Sequence, residues 1–516
     1  PRRWVLAWCW TSVVLVVLCF VPWPGAQPAE AAGDTPARAL PRLPPRPGYR
    51  YPDVVLVSID TLRADHLGAW GHKPSITPEL DRIGAEGVVC ARTLAPAPWT
   101  TPSIASLLTG LPTVRHDAGR PLASGPTFER SPLGSSFATL AERFAAAGYR
   151  TRAVVANGFL GPQSGMAQGF DEFSNPSGGA FFAGMLRDMP LTRLVVAMVP
   201  AVKWGDPRAA GLTDKALGWL AEKDDKPLFL WVHYMDTHAP YMRDPARLDV
   251  MDTLDMVRRT PPKPQPDGTV VGEVFGNTEM VRGGLLWLGP RDRERLASYY
   301  AGEVAYVDRH VGRLFAALRE RAARRPVVAA VTADHGEELW DHGHFEHGHD
   351  YYVEVTRVPL VFWGPGRVPA GRRVESLTGL VDVAPTLLEE AGLPTERWLT
   401  DAGRSLVATF ARPSDANAPA VSYASGGNLY GLPSALLEEG PWSYILRANE
   451  SEELYEVTSD PRERQNVAAL HPDLLARFRQ RLQPELLALI HTGKGGAAAE
   501  LTPEQLQQLK ALGYAR

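Results

Sequence analysis

Three apolar segments of the sequence each end in side chains that can bind a metal ion. "DVVLVSID" ends in Asp60, "KPLFLWVHYMD" ends in Asp236 shortly before His238, and "RPVVAAVTAD" ends in Asp334, directly before His335. A single Asp at such a position is usually a turn former, but three segments with the same ending indicate a shared site. Carboxylates and imidazoles without thiolates suit Zn²⁺, Mn²⁺, Mg²⁺ or Ca²⁺, and the sequence does not choose among these divalent ions.

Two adjacent hydroxyls stand at the start of a predicted helix in "PAPWTTPSIASLLTG". Pro102 suits the first turn of a helix, which places Thr100 or Thr101 near the N-cap. The free N–H groups and the dipole of a helix N-terminus also hold anions. Two interpretations follow: a capped helix and nothing more, or a threonine that touches the metal and attacks a bound phosphate or sulfate.

Four histidines, His342, His344, His347 and His349, lie in the segment "DHGHFEHGHDYY". We expect most of them to lie on the surface and one of them to reach the site as a ligand of the substrate or of a second metal. Together with the acidic strand ends, this segment predicts metal-assisted chemistry on a phosphate or sulfate ester.

The elements that must position these side chains alternate between strands and helices. Residues 53–60, 150–157, 226–236 and 325–334 have the length and β-branched content of buried strands. Amphipathic helices are predicted over 135–149 and 300–325. The alternation predicts an α/β fold, doubly wound, with a mostly parallel central sheet flanked by helices. Ligands of such sheets bind beyond the carboxyl ends of the strands.

The C-terminal third follows a different pattern. After a helical segment at 381–393, the strand-like pieces "AVSYAS", "GPWSYILRAN" and "ELYEVTSDP" precede the helical "HPDLLARFRQRLQPELLALI". This order predicts a small α+β subdomain with an antiparallel sheet. We therefore expect a catalytic domain at 53–395 and a C-terminal subdomain at 396–516.

The N-terminal residues 1–32 combine a basic flank with the apolar run "WVLAWCWTSVVLVVLCFV" and a group of small residues. This combination is typical of a signal peptide or of a single membrane anchor. Either would export the rest of the chain, to the periplasm or the cell exterior, or leave it membrane-anchored with the catalytic domain outside. Residues 33–52 are rich in Pro and Arg and predict an extended linker.

Charge and cysteine content narrow the class of partner. Lys and Arg number 54 against 58 Asp and Glu, a net charge of −4, and no long basic run occurs. This balance argues against a nucleic-acid partner. Cys9 and Cys19 lie in the N-terminal apolar run, which leaves Cys90 alone and no disulfide in the remainder.

Residues 176–208 and 243–290 lack strong periodicity, so lids, membrane-facing segments and plain surface insertions all stay open.

The chain resembles the sulfatases of the alkaline phosphatase superfamily over residues 53–516. The matching segments, in family order, are "VLVSIDTLRADHLGAWG", "PWTTPSIASLLTGLP", "VHYMDTHAPY", "VTADHGEELWDHGHFEHGHDYY", "RVPLVFWGPG", "LVDVAPTLLEEAGLP", "EELYEVTSDPRERQNVA" and "LTPEQLQQLKALGY". The resemblance implies that Asp60, Asp334 and His335 bind a metal beside a nucleophile at Thr100. It also implies that His238 and His347 hold substrate oxygens or a second metal, for which Asp236 is a weaker candidate.

The sequence departs from the sulfatase pattern at the nucleophile. Formylglycine sulfatases carry Cys-x-Pro-Ser-Arg, whereas the five positions here are Thr100, Thr101, Pro102, Ser103 and Ile104. Oxidation of threonine would give a ketone, so formylglycine cannot form. In addition, Thr61 replaces a second metal-binding Asp, and Asn157, a candidate substrate-binding residue, lies near the position of a Lys-Trp-His motif.

These departures match the branches of the superfamily that use a threonine nucleophile, such as nucleotide pyrophosphatases and lipid-acting phosphoethanolamine transferases. The resemblance therefore implies a metal-dependent hydrolase of a phosphate mono- or diester, or a phosphotransferase. Whether the ester substrate is linked to a lipid or to a glycan stays open. Two alternatives remain: a sulfate-ester hydrolase without formylglycine, and an inactive binding protein on a sulfatase scaffold.

Overall fold

A computed structural model describes residues 40, 42–43, 48–120, 130–176, 208–239, 241, 263–264, 270–271, 289–395, 403–411, 422–427, 429 and 433–490. The strands in this part of the chain are β1 (Asp53–Ile59), β2 (Val88–Leu94), β3 (Arg150–Val155), β4 (Glu172–Ser174), β5 (Leu228–Tyr234), β6 (Lys263–Pro264), β7 (Val270–Val271), β8 (Val327–Ala333), β9 (Glu338–Leu339), β10 (Phe345–Glu346), β11 (Arg357–Trp363), β12 (Arg372–Gly379), β13 (Ser422–Gly426), β14 (Ser434–Glu439), β15 (Trp442–Arg447) and β16 (Glu452–Glu456).

The α-helices in the same residues are α1 (Pro78–Ala85), α2 (Thr100–Thr109), α3 (Thr113–His116), α4 (Leu140–Ala146), α5 (Ala209–Ala221), α6 (Pro290–Ala322), α7 (Val353–Thr356), α8 (Val383–Glu390), α9 (Val407–Ala411) and α10 (Pro472–Ile490). None of the helices in the described ranges has the length and apolar character needed to cross a membrane.

Eight strands form one twisted central sheet in the order β12-β2-β11-β8-β1-β5-β3-β4. Only β11 runs antiparallel to its neighbours β2 and β8, and the other pairings in this sheet are parallel. Strand β8 contacts both α6 and α8, so helices cover the sheet. The predicted α/β fold with a mostly parallel, helix-flanked sheet is confirmed.

The predicted buried strands lie at the centre of this sheet. Strands β8, β1 and β5 are adjacent, and every residue in them is buried. Burial on both faces explains why these segments are apolar throughout and do not alternate. The periodicity did not predict β2, β11 and β12, which form one side of this sheet, or β4, which lies at its opposite edge.

Helix α4 shows how local sequence sets an element boundary. The Thr139 side chain accepts a hydrogen bond from the Glu142 backbone N–H, and the Glu142 carboxylate accepts one from the Thr139 N–H. This capping box satisfies two donors at the helix start. At the other end, Gly148 has a φ of +85°, a left-handed conformation that glycine adopts without strain.

The C-terminal region forms a second sheet, β13-β14-β15-β16, in which all pairings are antiparallel. Helix α10 covers one face of this sheet with Phe478 and Leu482. Leu436 and Ile445 on the other face pack against Leu94 at the end of β2. The predicted α+β region with an antiparallel sheet is therefore confirmed, while the exact domain bounds stay a prediction.

Some predictions fall on residues that the structure does not describe. The signal peptide or anchor at 1–32, and most of the linker at 33–52 and of the segments at 176–208 and 243–290, lie outside the described residues.

Candidate active site

Asp60, Asp334 and His335 meet at the carboxyl edge of the central sheet. Asp60 follows β1 and Asp334 follows β8, and these strands pair in parallel with Ile59 opposite Ala333. The register thus brings the next residue of each strand side by side. One ligand atom from each of the three side chains lies within 4.8 Å of the others, and all three residues are buried.

The donor atoms of this cluster fit a divalent cation. His335 Nδ1 lies 2.9 Å from the Gly336 carbonyl and so carries the proton, leaving the lone pair of Nε2 toward the site. Nε2 is 3.6 Å from Asp60 Oδ1 and 3.5 Å from Asp334 Oδ2. These two carboxylate oxygens are buried without a hydrogen-bond partner. A cation bound between them would satisfy both.

The protonation of the two carboxyls differs. Burial and the charge of Asp60 raise the pKa of Asp334 to about 8. Burial alone would also raise the pKa of Asp60, but its hydrogen bond with His233 and the nearby histidines hold that pKa below the usual range. Two buried carboxyls in one cluster cannot both ionise easily without a counter-charge, which a divalent cation provides.

Thr100 faces this cluster from the first turn of α2. Its Oγ1 lies 3.4 Å from His335 Nε2 and 3.5 Å from Asp60 Oδ2. The N-cap residue is Trp99, and no side chain caps the helix. Thr100 therefore lies next to the N-cap, as expected, but its hydroxyl does not cap the helix. Instead, Ser103 Oγ, donating to the Asp334 carbonyl at 2.6 Å, fixes α2 against the end of β8.

Asn157 joins the same group of side chains from the end of β3. Its Nδ2 donates to Asp60 Oδ2 at 2.7 Å and to Thr100 Oγ1 at 3.4 Å. Its Oδ1 accepts from the Phe159 backbone N–H at 2.8 Å, which fixes which end of the amide faces the cluster. Asn157 can therefore orient Thr100, in addition to the predicted contact with substrate.

His238 and His347 lie on one side of the cluster. Their rings are 4.9 Å apart, and the His347 ring is 4.3 Å from that of His335. His238 Nδ1 contacts the Ala239 carbonyl at 2.5 Å, and His347 Nδ1 contacts Glu337 Oε1 at 2.7 Å. Both Nε2 atoms are left for ligands. Burial and the neighbouring histidines hold the pKa of His347 well below its usual value, whereas Asp60 raises that of His238 against the effect of burial.

The structure does not bring Asp236 into the metal cluster. Its Oδ1 lies 2.5 Å from Arg208 Nε, and its Oδ2 accepts from the Ala209 N–H at 3.0 Å, at the start of α5. The carboxylate thus anchors a helix N-terminus. This geometry corrects the expectation that Asp236 contributes to a second metal. Thr61 also turns away, since its hydroxyl donates to the Thr237 carbonyl at 2.7 Å.

The other histidines of the 341–352 segment bind partners away from the cluster. His342 Nδ1 lies 2.6 Å from Glu354 Oε1, and His349 Nε2 lies 3.1 Å from Glu338 Oε2. His344 is exposed. Of the four, only His347 contacts a residue of the cluster, as the sequence predicted for one of them.

Three residues near the site were not predicted. His233 Nε2 lies 3.3 Å from Asp60 Oδ2. Glu337 and Tyr241 support His347 through a hydrogen-bonded chain. A signal for His233 exists in the sequence: it lies in a buried strand, three residues before the acidic strand end.

Comparison with known proteins gives matches over most of the chain. Residues 52–393 match the family model described as Sulfatase. A "Sulfatase" of Formosa agariphila is 24% identical over 437 residues, covering 81% of this chain and 83% of its own. The "Multifunctional alkaline phosphatase superfamily protein PehA" of Trinickia caryophylli is 28% identical over 413 residues, covering 70% and 78%.

A similar fold occurs in the crystal structure of the phosphonate monoester hydrolase of Agrobacterium radiobacter. The TM-score is 0.59 at 23% identity, and the match covers 88% of this chain and 98% of the other.

Proposed function

Because this chain belongs to the sulfatase family of ester hydrolases, we propose that it is an exported, metal-dependent hydrolase that cleaves a phosphate mono- or diester through Thr100. The observation that carries the proposal is the position of the Thr100 hydroxyl, 3.4 Å from His335 Nε2 and 3.5 Å from Asp60 Oδ2, at a helix N-terminus that no side chain caps.

The residues of the cluster divide the work between metal binding and ester binding. Asp60, Asp334 and His335 would hold the cation, which when bound neutralises charge on the ester and lowers the pKa of the Thr100 hydroxyl. Helix α2 begins at Thr100 without a side-chain cap, and the free N–H groups at a helix start favour an anion beside it.

Bond formation and cleavage then follow from these positions. Thr100 Oγ1 forms a bond to phosphorus as the bond to the ester alcohol breaks, and the alcohol leaves with a proton. Water attacks the phosphorylated Thr100 in a second step and restores the free hydroxyl, releasing phosphate from a monoester substrate or a phosphate monoester from a diester substrate. Asn157 orients Oγ1 throughout, and His238 and His347 hold ester oxygens through Nε2.

The residue types favour phosphate over sulfate. Threonine cannot form the aldehyde hydrate of the formylglycine sulfatases, and the buried Ile104 replaces their signature arginine. A threonine alkoxide, by contrast, is a competent nucleophile for in-line displacement at phosphorus. The match to PehA, a relative named as a multifunctional protein of the alkaline phosphatase superfamily, supports this choice.

A second candidate function is hydrolysis of a sulfate ester without formylglycine. The observation that favours it is the match to a relative named as a sulfatase over 81% of this chain. A binding protein without activity is a weaker alternative, because the three metal-binding side chains are all present and converge.

Steady-state assays on the purified, metal-loaded protein test the choice. The panel comprises aryl phosphate monoesters, phosphodiesters, phosphonate monoesters and sulfate esters, with wild type, Thr100→Ala and, as the matched control, Thr101→Ala. We expect the wild-type protein to turn over phosphoesters. Thr100→Ala should lower this turnover by about 10³-fold or more, because it deletes the nucleophile, whereas Thr101→Ala should retain most of it. Acid quenching should trap phosphate on Thr100.

The outcomes separate the alternatives. Turnover of sulfate esters alone would favour the second candidate, and undiminished activity of Thr100→Ala would reject this residue as the nucleophile. Bound metal without turnover of any ester would identify a binding protein.

The proposed export rests on the N-terminal segment 1–32. Expression of the chain with a C-terminal tag, followed by separation of cytoplasmic, membrane and exported fractions, tests it. Recovery in the cytoplasmic fraction alone would contradict export.

A further inference from the structure

Glu337 is a fully buried acidic residue that binds two side chains from different loops of the site. Its Oε1 lies 2.7 Å from His347 Nδ1, and its Oε2 accepts a hydrogen bond from the Tyr241 hydroxyl at 2.7 Å. The relative exposure of Glu337 is 0%. A buried carboxylate with a partner on each oxygen is held in one orientation.

The backbone of Glu337 is also fixed. Its N–H donates to the Glu354 carbonyl at 3.1 Å, and its carbonyl accepts from Arg63 Nη1 at 3.1 Å. The carboxylate therefore has little freedom to follow a moving partner. Instead, it defines where the His347 ring can lie.

This carboxylate connects the two loops that carry the ester-binding histidines. Tyr241 lies three residues after His238, in the loop that follows β5. His347 lies in the loop that follows β10, and its ring is 4.9 Å from that of His238. Through the Tyr241 hydroxyl on one side and His347 Nδ1 on the other, Glu337 links the two loops.

The contact also decides which ring nitrogen of His347 is available. With Oε2 occupied by the Tyr241 hydroxyl, Oε1 is the oxygen that faces His347 Nδ1 at 2.7 Å, and an ionised Glu337 accepts the Nδ1–H there. The tautomer with Nδ1 protonated leaves Nε2 as the atom that faces the site. Carboxylate partners fix the tautomer and ring orientation of functional histidines in this way.

We propose that Glu337 is a positioning residue that acts through His347: it fixes the ring so that Nε2, and not Nδ1, faces the ester, and Tyr241 holds Glu337 in place. This inference rests on the proposed ester hydrolysis for its kinetic effect, but not for its structural content. Glu337 touches neither the ester nor Thr100.

A double-mutant cycle measures whether Glu337 acts through His347. We expect Glu337→Ala and His347→Ala each to lower kcat/KM by about 10- to 100-fold, the range for partners of functional histidines. The double variant should match His347→Ala within about twofold, because residues that act as one unit are not additive. Tyr241→Phe should give a smaller loss that is also absent in the His347→Ala background.

Glu338→Gln is the matched control. Glu338 is the next residue, is equally buried, and binds a histidine of the same loop, His349. Any effect of Glu338→Gln on kcat/KM should be the same factor in wild type and in the His347→Ala background. A loss from Glu337→Ala that persists at full size in the His347→Ala background would show a general structural role and overturn the proposal.

A readout independent of turnover is the tautomer of His347. Long-range ¹H–¹⁵N correlation spectra of ¹⁵N-labelled protein report which ring nitrogen carries the proton, and the His347→Ala spectrum assigns the signal. We expect the Nδ1–H form in wild type and its loss or exchange in Glu337→Ala. An unchanged His347 signal in that variant would reject the proposal, whereas absence of turnover in wild type would reject only the proposed function.

Discussion

Two buried carboxylate oxygens, Asp60 Oδ1 and Asp334 Oδ2, have no hydrogen-bond partner although they lie in the same cluster. Unpaired buried polar atoms are costly, and in a folded protein each usually has a partner or a reason. Here the reason is the neighbouring imidazole of His335, whose lone pair completes a three-ligand set. The missing hydrogen-bond partners of these two oxygens therefore support a metal site as much as the short distances within the cluster do.

The metal-free protein should lose stability as the pH rises from about 4 to about 8. The pKa of Asp334 is raised to about 8 in the folded state from an ordinary value of 3.8. Between these two values Asp334 keeps its proton in the folded state but not in the unfolded state, so the stability of the folded state falls as the pH rises. Asp334→Asn should remove this slope, raise the Tm at pH 9 in EDTA, and abolish the increase in Tm that added metal gives to wild type.

Thermal unfolding with EDTA or metal at several pH values measures these effects. Asp341→Asn is the control, because Asp341 pairs with Arg63 at 2.6 Å and is not in the cluster. Its substitution should lower the Tm with and without metal alike. A wild-type Tm in EDTA that rises with pH over this window would contradict the prediction.

Each element at the site is short, and its end is fixed by a specific contact. Helix α2 begins at Thr100 and is held by Ser103. Strands β1 and β8 end at Ile59 and Ala333, directly before Asp60 and Asp334 of the cluster. Helix α4 lies before β3, the strand that leads to Asn157. Its start therefore contributes to how firmly this side of the sheet is held.

Thr139→Ala should destabilise the protein by about 1 kcal/mol, the usual effect of losing an N-cap side chain. The Thr139 hydroxyl also donates to the Gln168 carbonyl at 3.0 Å, so the loss of stability should be somewhat larger than this usual value. The midpoint of urea unfolding measures the change.

Thr139→Ser is the matched control for this substitution. It keeps the hydroxyl and should retain most of the stability. Equal losses in Ser and Ala variants would show that the methyl group, and not the cap, matters.

Contacts across the whole molecule connect the C-terminal sheet to the loops of the site. The Gly427 carbonyl accepts a hydrogen bond from Trp99 Nε1 at 2.7 Å, beside Thr100, and the Leu429 N–H donates to the Gly348 carbonyl at 2.7 Å, beside His347. Arg357 pairs with the buried Glu438 at 2.8 Å. The second sheet therefore supports the surroundings of both Thr100 and His347 from outside the central sheet.

His342 makes this connection dependent on pH. Burial alone would lower the pKa of His342, but its hydrogen bond with Glu354 and the charge of that residue raise it to about 9. Its other nitrogen, Nε2, lies 3.0 Å from the Glu463 carbonyl of the C-terminal region. A raised pKa in the folded state stabilises the protein below about 6.5, and this contribution is lost as the pH rises through 9.

The metal-loaded protein should thus show a fall in Tm between pH 6.5 and 9 that His342→Gln reduces. His344→Gln, a substitution of an exposed histidine in the same loop, should leave the slope as in wild type. The prediction fails when the two variants show the same slope.

The sequence by itself determined the alternation of strands and helices, and it predicted the cluster of Asp60, Asp334 and His335 that the structure brings together beside Thr100. Asp60 and Asp334 were predictable because a fully buried parallel strand is a continuous apolar run, and such strands end at one edge of the sheet. The family resemblance added His238, His347 and Asn157, and their positions in the structure agree with a common site.

Only the tertiary structure decided which polar groups reach that site. Asp236 follows a buried strand as Asp60 does, but it binds Arg208 and the start of a helix. Glu337 is one of two adjacent glutamates that no sequence pattern singled out, yet it contacts His347. Strands β2, β11 and β12 also depend on partners distant in the chain. The reason is physical: periodicity records which face of an element is buried, whereas the partner of a polar side chain is set by loops that approach from elsewhere in the sequence.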